Sequence, residues 1–436
     1  MASAYRTPKG EKRWRATWYN DNGQQKSKTF LTKARAEAWE TKMRAEREAG
    51  LLDAFSKARE TRLREWVLRW WDLHIKHKPK NTRDAYARAV NRLIDPYIGG
   101  ITMAELTTPR VAEWRDELSN AGFTAHQITE AMRVLSSCLG KAVERGLIPS
   151  GANPVRDASK PDKPPKKTRM PLAPVQVEWI RFAFLTYRVG RVDDVAALRS
   201  ATLTSLLGYG GFRPSEGLGF KVPDVDFEAG GVWVRDVFAG EHREGDTKTH
   251  AGRFVPLYDA VMDDLRLWLD VRAAVEGGLP RGRTTRNDFN WLFPDETGSV
   301  SEFTHRNWAA RPWKSAKARA IALAPDLAAE LESATPYTLR GSMVSVEARA
   351  AGRDLDWARL AQRAGHTVQT LQSDYLNVVN ALAGQERMPA DEQIAKAREQ
   401  VGIASAIEAL RERVLGAAPK RAALIDLRDA RRRRAS

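Results

Sequence analysis

One stretch of this chain governs what the rest can become. From Asn153 to Pro174, Pro154, Pro161, Pro164, Pro165, Pro171 and Pro174 are interleaved with Lys160, Lys163, Lys166, Lys167 and Arg169. Each proline lacks a backbone N–H and fixes its own φ, and the cations repel one another. Residues 157–174 therefore read as an extended basic linker rather than a packed element. No single core runs through such a segment, so the 436 residues must form separately packed units before and behind it. Its charge also suits contact with a phosphate backbone through Lys163, Lys166 and Lys167.

Two units are expected ahead of the linker. In residues 1–55, Trp14, Ala16 and Trp18 alternate with Arg13, Arg15 and Thr17, the period of a half-buried strand. Asn20-Asp21-Asn22-Gly23 signals a turn, and Gln24–Phe30 reads as the return strand. Thr32 can cap a helix over Lys33–Ala49, which Gly50 ends. The result is a small β-β-α unit with Arg13, Arg15, Lys26 and Lys28 as candidate DNA contacts. Residues 60–156 read as all-helical. Leu63, Trp66, Val67, Trp70 and Leu73 share one face of a first helix, and Asn81 or Thr82 caps a second. Pro109 opens a third helix, with Val111, Trp114 and Leu118 inward. Thr124 caps a fourth, carrying Ile128, Met132, Leu135, Leu139 and Val143, and Gly146 stops it. The aromatic stripes read as core.

Behind the linker, residues 175–385 read as a mixed α/β domain. Val175–Tyr187 and Ala196–Leu207 have helical patterns, Val232–Val237 and Arg253–Leu257 are strand-like, and a polar hairpin containing Lys248 joins the strands. Residues 386–436 read as a basic tail with one weakly apolar helix, Ile403–Leu415, closing on Arg431–Arg434. The fold class is multidomain and mostly α, with small β elements.

Composition narrows the function. A formal net charge of +16 points to a polyanionic partner, with nucleic acid foremost. Charge alone does not separate a nucleic-acid enzyme from a merely basic soluble protein. No apolar run approaches the length of a membrane span, and Met1–Gly10 lacks a secretory core. The single cysteine, Cys138, lies in an apolar-periodic segment and reads as a core residue. These features predict a reducing, cytoplasmic setting, on nucleoid DNA if DNA is bound. There is no phosphate-binding glycine loop, no complete dinucleotide fingerprint and no His-Glu-x-x-His. His74 and His77 stand three apart with nothing placed to complete a ligand set, so no metal and no cofactor are expected.

What remains is a set of cations and one tyrosine, in a fixed order. Tyr209-Gly210-Gly211-Phe212-Arg213-Pro214-Ser215-Glu216 places an arginine just past an apolar helix. Gly245-Asp246-Thr247-Lys248-Thr249 places a lysine in a hairpin. Thr335-Pro336-Tyr337-Thr338-Leu339-Arg340 puts a second arginine at a helix start, and Gly365-His366 precedes Tyr375. Their chemistry fits phosphodiester transfer. Two arginines can hold nonbridging oxygens through charge-assisted forks. A tyrosine oxygen can form a covalent phosphotyrosine that keeps the bond energy for rejoining. A lysine can protonate the departing 5′-hydroxyl.

In this order the four segments resemble the catalytic domain of the tyrosine recombinases, or phage-type integrases. The first two units resemble that family's arm-binding and core-binding domains. The resemblance implies a site-specific recombinase in which Arg213 and Arg340 clamp the scissile phosphate, Lys248 is the general acid and Tyr375 the nucleophile. It further implies that His366 bonds the phosphate and that Glu216 orients the site. Where the family usually has histidine three before the second arginine, this chain has Tyr337, a hydrogen-bonding group but a poor base. The implied partners are double-stranded DNA at attachment-type sites, a tetramer of protomers on two sites, and DNA-bending accessory proteins. The competing readings are a DNA-binding protein of this fold without cleavage, and a type IB topoisomerase-like enzyme.

Overall fold

The structure, a computed structural model, describes residues 2–6, 11–19, 25–48, 58, 60–149, 151, 153–162, 170–187, 194–238, 244–246, 252–276, 291–294, 305–382 and 384–415. The chain divides into two compact units at residues 166/167, inside the basic linker. Lys163, Lys166, Lys167, Lys248 and the final arginine run lie outside the described residues.

The first unit opens with an antiparallel sheet, β1 (Ser3–Arg6), β2 (Lys12–Tyr19) and β3 (Gln25–Phe30), followed by α1 (Lys33–Glu48). The expected β-β-α pattern thus gains a third strand, because Tyr5 and Ala4 pair with Arg13 and Trp14 along the free edge of β2. Ala16 and Ala36 are buried, with Trp14, Phe30 and Trp39 packed around them, which identifies the face covered by α1. Directly paired residues share a face. Lys28 pairs with Ala16 and Lys26 with Trp18, so both lysines belong to the helix-covered face. Arg13 and Arg15 point the other way. The four candidate DNA contacts therefore do not form one surface: Lys28 Nζ instead lies 5.8 Å from the Phe30 ring centre and 5.7 Å from that of Trp39.

The helical part comprises α2 (Leu63–Trp70), α3 (Lys80–Ala89), α4 (Thr108–Asn120) and α5 (Ala125–Glu144), with shorter turns between. Thr107 and Thr124 cap α4 and α5, the latter in a full capping box with Gln127. The tryptophans are core: Trp66 donates to the Cys138 carbonyl at 3.1 Å and Trp114 to that of Leu93 at 2.8 Å. Two expectations are corrected. First, α3 begins at Lys80 behind Pro79, ahead of Asn81 and Thr82, since proline fits the extended residue at a helix start. Second, Leu73 is 45% exposed. Past Trp70 the helix widens into a π-turn over Trp71–Ile75, which shifts the phase by one residue and buries Ile75.

The second unit is organised by two helices buried on nearly every side, α7 (Asp194–Gly210), which follows α6 (Pro174–Thr186), and a later helix described below. A helix apolar or small all round belongs inside. After the short α8 (Pro214–Gly219) come β4 (Val225–Asp226) and β5 (Gly231–Val234). They join β8 (Arg253–Pro256) in a three-stranded antiparallel sheet, while β6 (Asp236–Phe238) and β7 (Glu244–Asp246) form a separate hairpin. On β5, Val232 and Val234 are buried and Trp233 faces out against Phe254, as alternation requires. Next come α9 (Asp259–Glu276) and α10 (Lys314–Leu323). The second buried helix is α11 (Pro336–Ala351), capped by Thr335, and α12 (Trp357–Ala364) and α13 (Val368–Leu382) follow it.

Residues 390–415, within the expected tail, are packed. Helices α14 (Ala390–Val401) and α15 (Ile403–Leu415) send Ile394, Val401, Ile403, Ala406 and Leu410 into the same core as α6 and α7. A buried ring of charge fastens them there. Arg398 bonds Asp264 at 2.5 Å and reaches Glu178 at 3.4 Å, while Arg181 bonds Glu178 at 2.5 Å and Asp264 at 2.7 Å. Removing one member strands a buried opposite charge. Arg398→Met is expected to reduce unfolding free energy by about 3–5 kcal/mol, read from urea denaturation of the full chain. A loss within error of zero would mean that α14 is held by its apolar face alone.

Candidate active site

The helix ends of the second unit place the predicted residues. Helix α7 stops at Gly210, and Gly211 takes φ +71, where a side chain would strike Met343. Two residues on, Arg213 is extended, with Pro214 opening α8. Glu216, third in α8, turns back to accept the Arg213 backbone N–H at 2.9 Å. Arg340 sits on α11, buried. Helix α12 ends at Gly365 in the left-handed region, and His366 donates its N–H back to the Ala361 carbonyl at 2.9 Å. Tyr375 lies two turns into α13.

The structure gathers Arg213, Glu216, Arg340, His366 and Tyr375 into one cluster. It also brings in Arg253, which the sequence reading did not single out. Glu216 is the hub: one oxygen accepts Arg213 Nη1 at 2.8 Å, and the other accepts Arg253 Nη2 at 3.0 Å and lies 3.6 Å from Arg340 Nη1. Burial opposes charge on Glu216, but Arg253, the Arg213 amide and Arg340 outweigh it and hold the carboxyl below its ordinary range. The same arginines meet at the carboxyl end of α12. Three successive carbonyls each accept from one of them: Arg363 from Arg253 Nε at 3.3 Å, Ala364 from Arg340 Nη2, and Gly365 from Arg213 Nη2 at 2.9 Å. Unpaired carbonyls at a helix C-terminus carry partial negative charge and suit cations. Gly365 is needed here, because a Cβ would come within 2.9 Å of the Arg253 guanidinium. The signal that might have revealed Arg253 was weak, an arginine at a strand start.

This leaves donors without acceptors. Arg340 Nε and Nη1 and His366 Nδ1 are buried and find no hydrogen-bond partner among the described residues. Burial and the nearby Arg213 push the Arg340 pKa down to about 10, so it stays charged near neutrality. Burial, Arg340 and Arg213 push His366 down to about 4, so its ring is neutral there, one nitrogen donating and one accepting. Burial raises the Tyr375 phenol and Arg340 opposes that rise, so the resting hydroxyl is protonated. Tyr337, 49% exposed and one turn before Arg340, contributes to the electrostatics of both Arg340 and Tyr375. β6 runs beside α8, which carries Glu216, and Lys248, two residues past β7 in sequence, lies outside the described residues. Three arginines against one carboxylate leave an excess of positive charge near a tyrosine hydroxyl. Among the described residues no cluster of metal-ligating side chains is found, and no helix is long and apolar enough to cross a membrane.

Comparison with known proteins identifies the family. Residues 187–379 match the model of the phage integrase family, and residues 62–119 match the phage integrase N-terminal SAM-like domain. Together the matches span more than half of the chain and include Arg213, Lys248, Arg340, His366 and Tyr375. The chain belongs to the phage integrase family, the tyrosine recombinases, and so to the site-specific DNA recombinases. Among solved structures, the Tn1549 transposon integrase in complex with a circular intermediate DNA is similar at 17% identity and TM-score 0.55, over 72% of this chain and 95% of that one. The same integrase with transposon right end DNA gives 17% and 0.54, over 78% and 100%. A lambda integrase dimer bound to a COC′ core site gives 14% and 0.50, over 88% and 95%. At these identities the likeness establishes the fold. Curated protein sequences returned no match.

Proposed function

We propose that this chain cuts and rejoins duplex DNA at attachment-type sites through a covalent 3′-phosphotyrosine at Tyr375. The observation that carries this reading is the buried Arg340 guanidinium, whose Nε and Nη1 make no hydrogen bond among the described residues, close to a tyrosine hydroxyl. A scissile phosphate supplies the missing acceptors. Arg213 and Arg340 hold its nonbridging oxygens, and neutral His366 donates a further bond. The Tyr375 oxygen attacks phosphorus, and its proton passes to solvent as the O–P bond forms. The bond to the 5′ oxygen breaks, and Lys248 protonates the leaving hydroxyl. Rejoining is the reverse, with the 5′-hydroxyl of a second strand. Tyr337 adds a hydrogen bond from the exposed side, and Glu216 fixes the arginines.

The DNA complexes of the Tn1549 and lambda integrases support duplex DNA as partner. Four protomers on two sites, aided by DNA-bending proteins on cytoplasmic nucleoid DNA, would complete the exchange. The open face of the N-terminal sheet, with Arg13, Arg15, Tyr5 and Tyr19, is the surface for a second class of DNA site.

No step needs metal or nucleotide. Nicked suicide duplexes cut from DNA flanking the gene should give a detergent-stable protein–DNA adduct in EDTA without ATP. An adduct that forms only with magnesium, or none on any flanking fragment, would overturn the proposal.

A further inference from the structure

Gly341 follows Arg340 and stands in the interior of α11, buried, with ordinary helical backbone. Glycine in a helix interior is less favourable than alanine, and no unusual φ requires it here. A side chain is excluded for another reason. A Cβ at Gly341 would lie 3.0 Å from Tyr375 Cε1, 3.1 Å from the Tyr375 hydroxyl and 3.2 Å from Pro171 Cβ. One edge of the phenol, Cε1 and the hydroxyl, thus sits against the bare helix one residue past Arg340, and Pro171, in the linker segment, borders the same spot. The rest of the Tyr375 ring packs with the apolar cluster of Met343, Val344, Leu360 and Leu371.

We infer that Gly341 is a positioning residue for strand cleavage: the missing side chain forms the floor of a slot, bordered by Pro171, that sets where the Tyr375 oxygen stands relative to Arg340. This rests on Tyr375 being the nucleophile. Misplacing a reacting atom by about 1 Å can slow a reaction about 100-fold. A methyl at 3.0 Å must push the ring by a few tenths of an ångström, so Gly341→Ala should slow cleavage about ten-fold, and the bulkier Gly341→Val should slow it further.

The test is single-turnover adduct formation by the full chain on a nicked duplex, across protein concentrations. The expected result is a reduced rate at saturation, an unchanged half-saturating concentration and an unchanged melting temperature. Gly140→Ala serves as the control, because a Cβ there meets nothing within 4 Å. A Gly341→Ala rate equal to wild type would overturn the inference, as would a loss matched by weaker DNA binding or a lower melting temperature. If Tyr375→Phe still forms the adduct, the nucleophile assignment fails instead, so the two failures are separable.

Discussion

Tyr375→Phe should bind DNA as the parent does and form no covalent adduct, a loss of about 10⁴-fold or more of the kind seen when a nucleophile is removed. The substitution deletes one oxygen. The ring still fills its place beside Met343, Val344 and Leu371, so the fold should stand. The resting phenol is protonated and has no charge to lose, so affinity for phosphate should hold as well. Gel-shift affinity and adduct formation on the same nicked duplex separate the two properties. An adduct from Tyr375→Phe would show that another side chain attacks.

The arginines should show the second largest effect. Arg340→Ala and Arg213→Ala are each expected to slow adduct formation by about 10²–10³-fold, the usual consequence of removing one preorganised donor set from a developing charge. Arg340 should be the more severe. It is buried, and its Nε and Nη1 make no hydrogen bond among the described residues, whereas the Arg213 side chain is 33% exposed. Arg340→Lys should restore little, because a point charge cannot hold the Ala364 carbonyl and two phosphate oxygens together. Since Arg340→Ala also weakens the support of Glu216, melting temperatures must accompany the rates. A stable Arg340→Lys variant with the parental rate would remove the clamp from the mechanism.

The position of Tyr337 bears on how these losses are divided. Its exposure and its distance of one turn from Arg340 fit a group that meets DNA only when DNA is bound. His366, driven neutral by burial and two arginines, is an uncharged group close to the same arginines.

Much of this protein is written in local pattern. Strand alternation, the helix cap at Thr124, the stop at Gly146 and the order Arg213, Arg340, His366, Tyr375 can be read along the chain. Each depends on neighbours within one or two turns, or on a chemistry that tolerates few residue types. What the chain alone left undetermined depends on contacts distant in sequence. Lys26 and Lys28 look like partners of Arg13 and Arg15 until register places them on the opposite face. Leu73 fits the core until a π-turn rotates Ile75 into its place. Residues 390–415 look like a tail, because their apolar positions are sparse, yet Arg398 finds Asp264 across more than a hundred residues. Arg253 carries only a weak signature and Gly341 none. An arginine on a strand and a glycine in a helix acquire meaning only when packing sets one against Glu216 and the carboxyl end of α12, and brings an edge of the Tyr375 ring against the other. Periodicity records which face of an element is apolar; which element it then meets is decided by the close packing of the whole core.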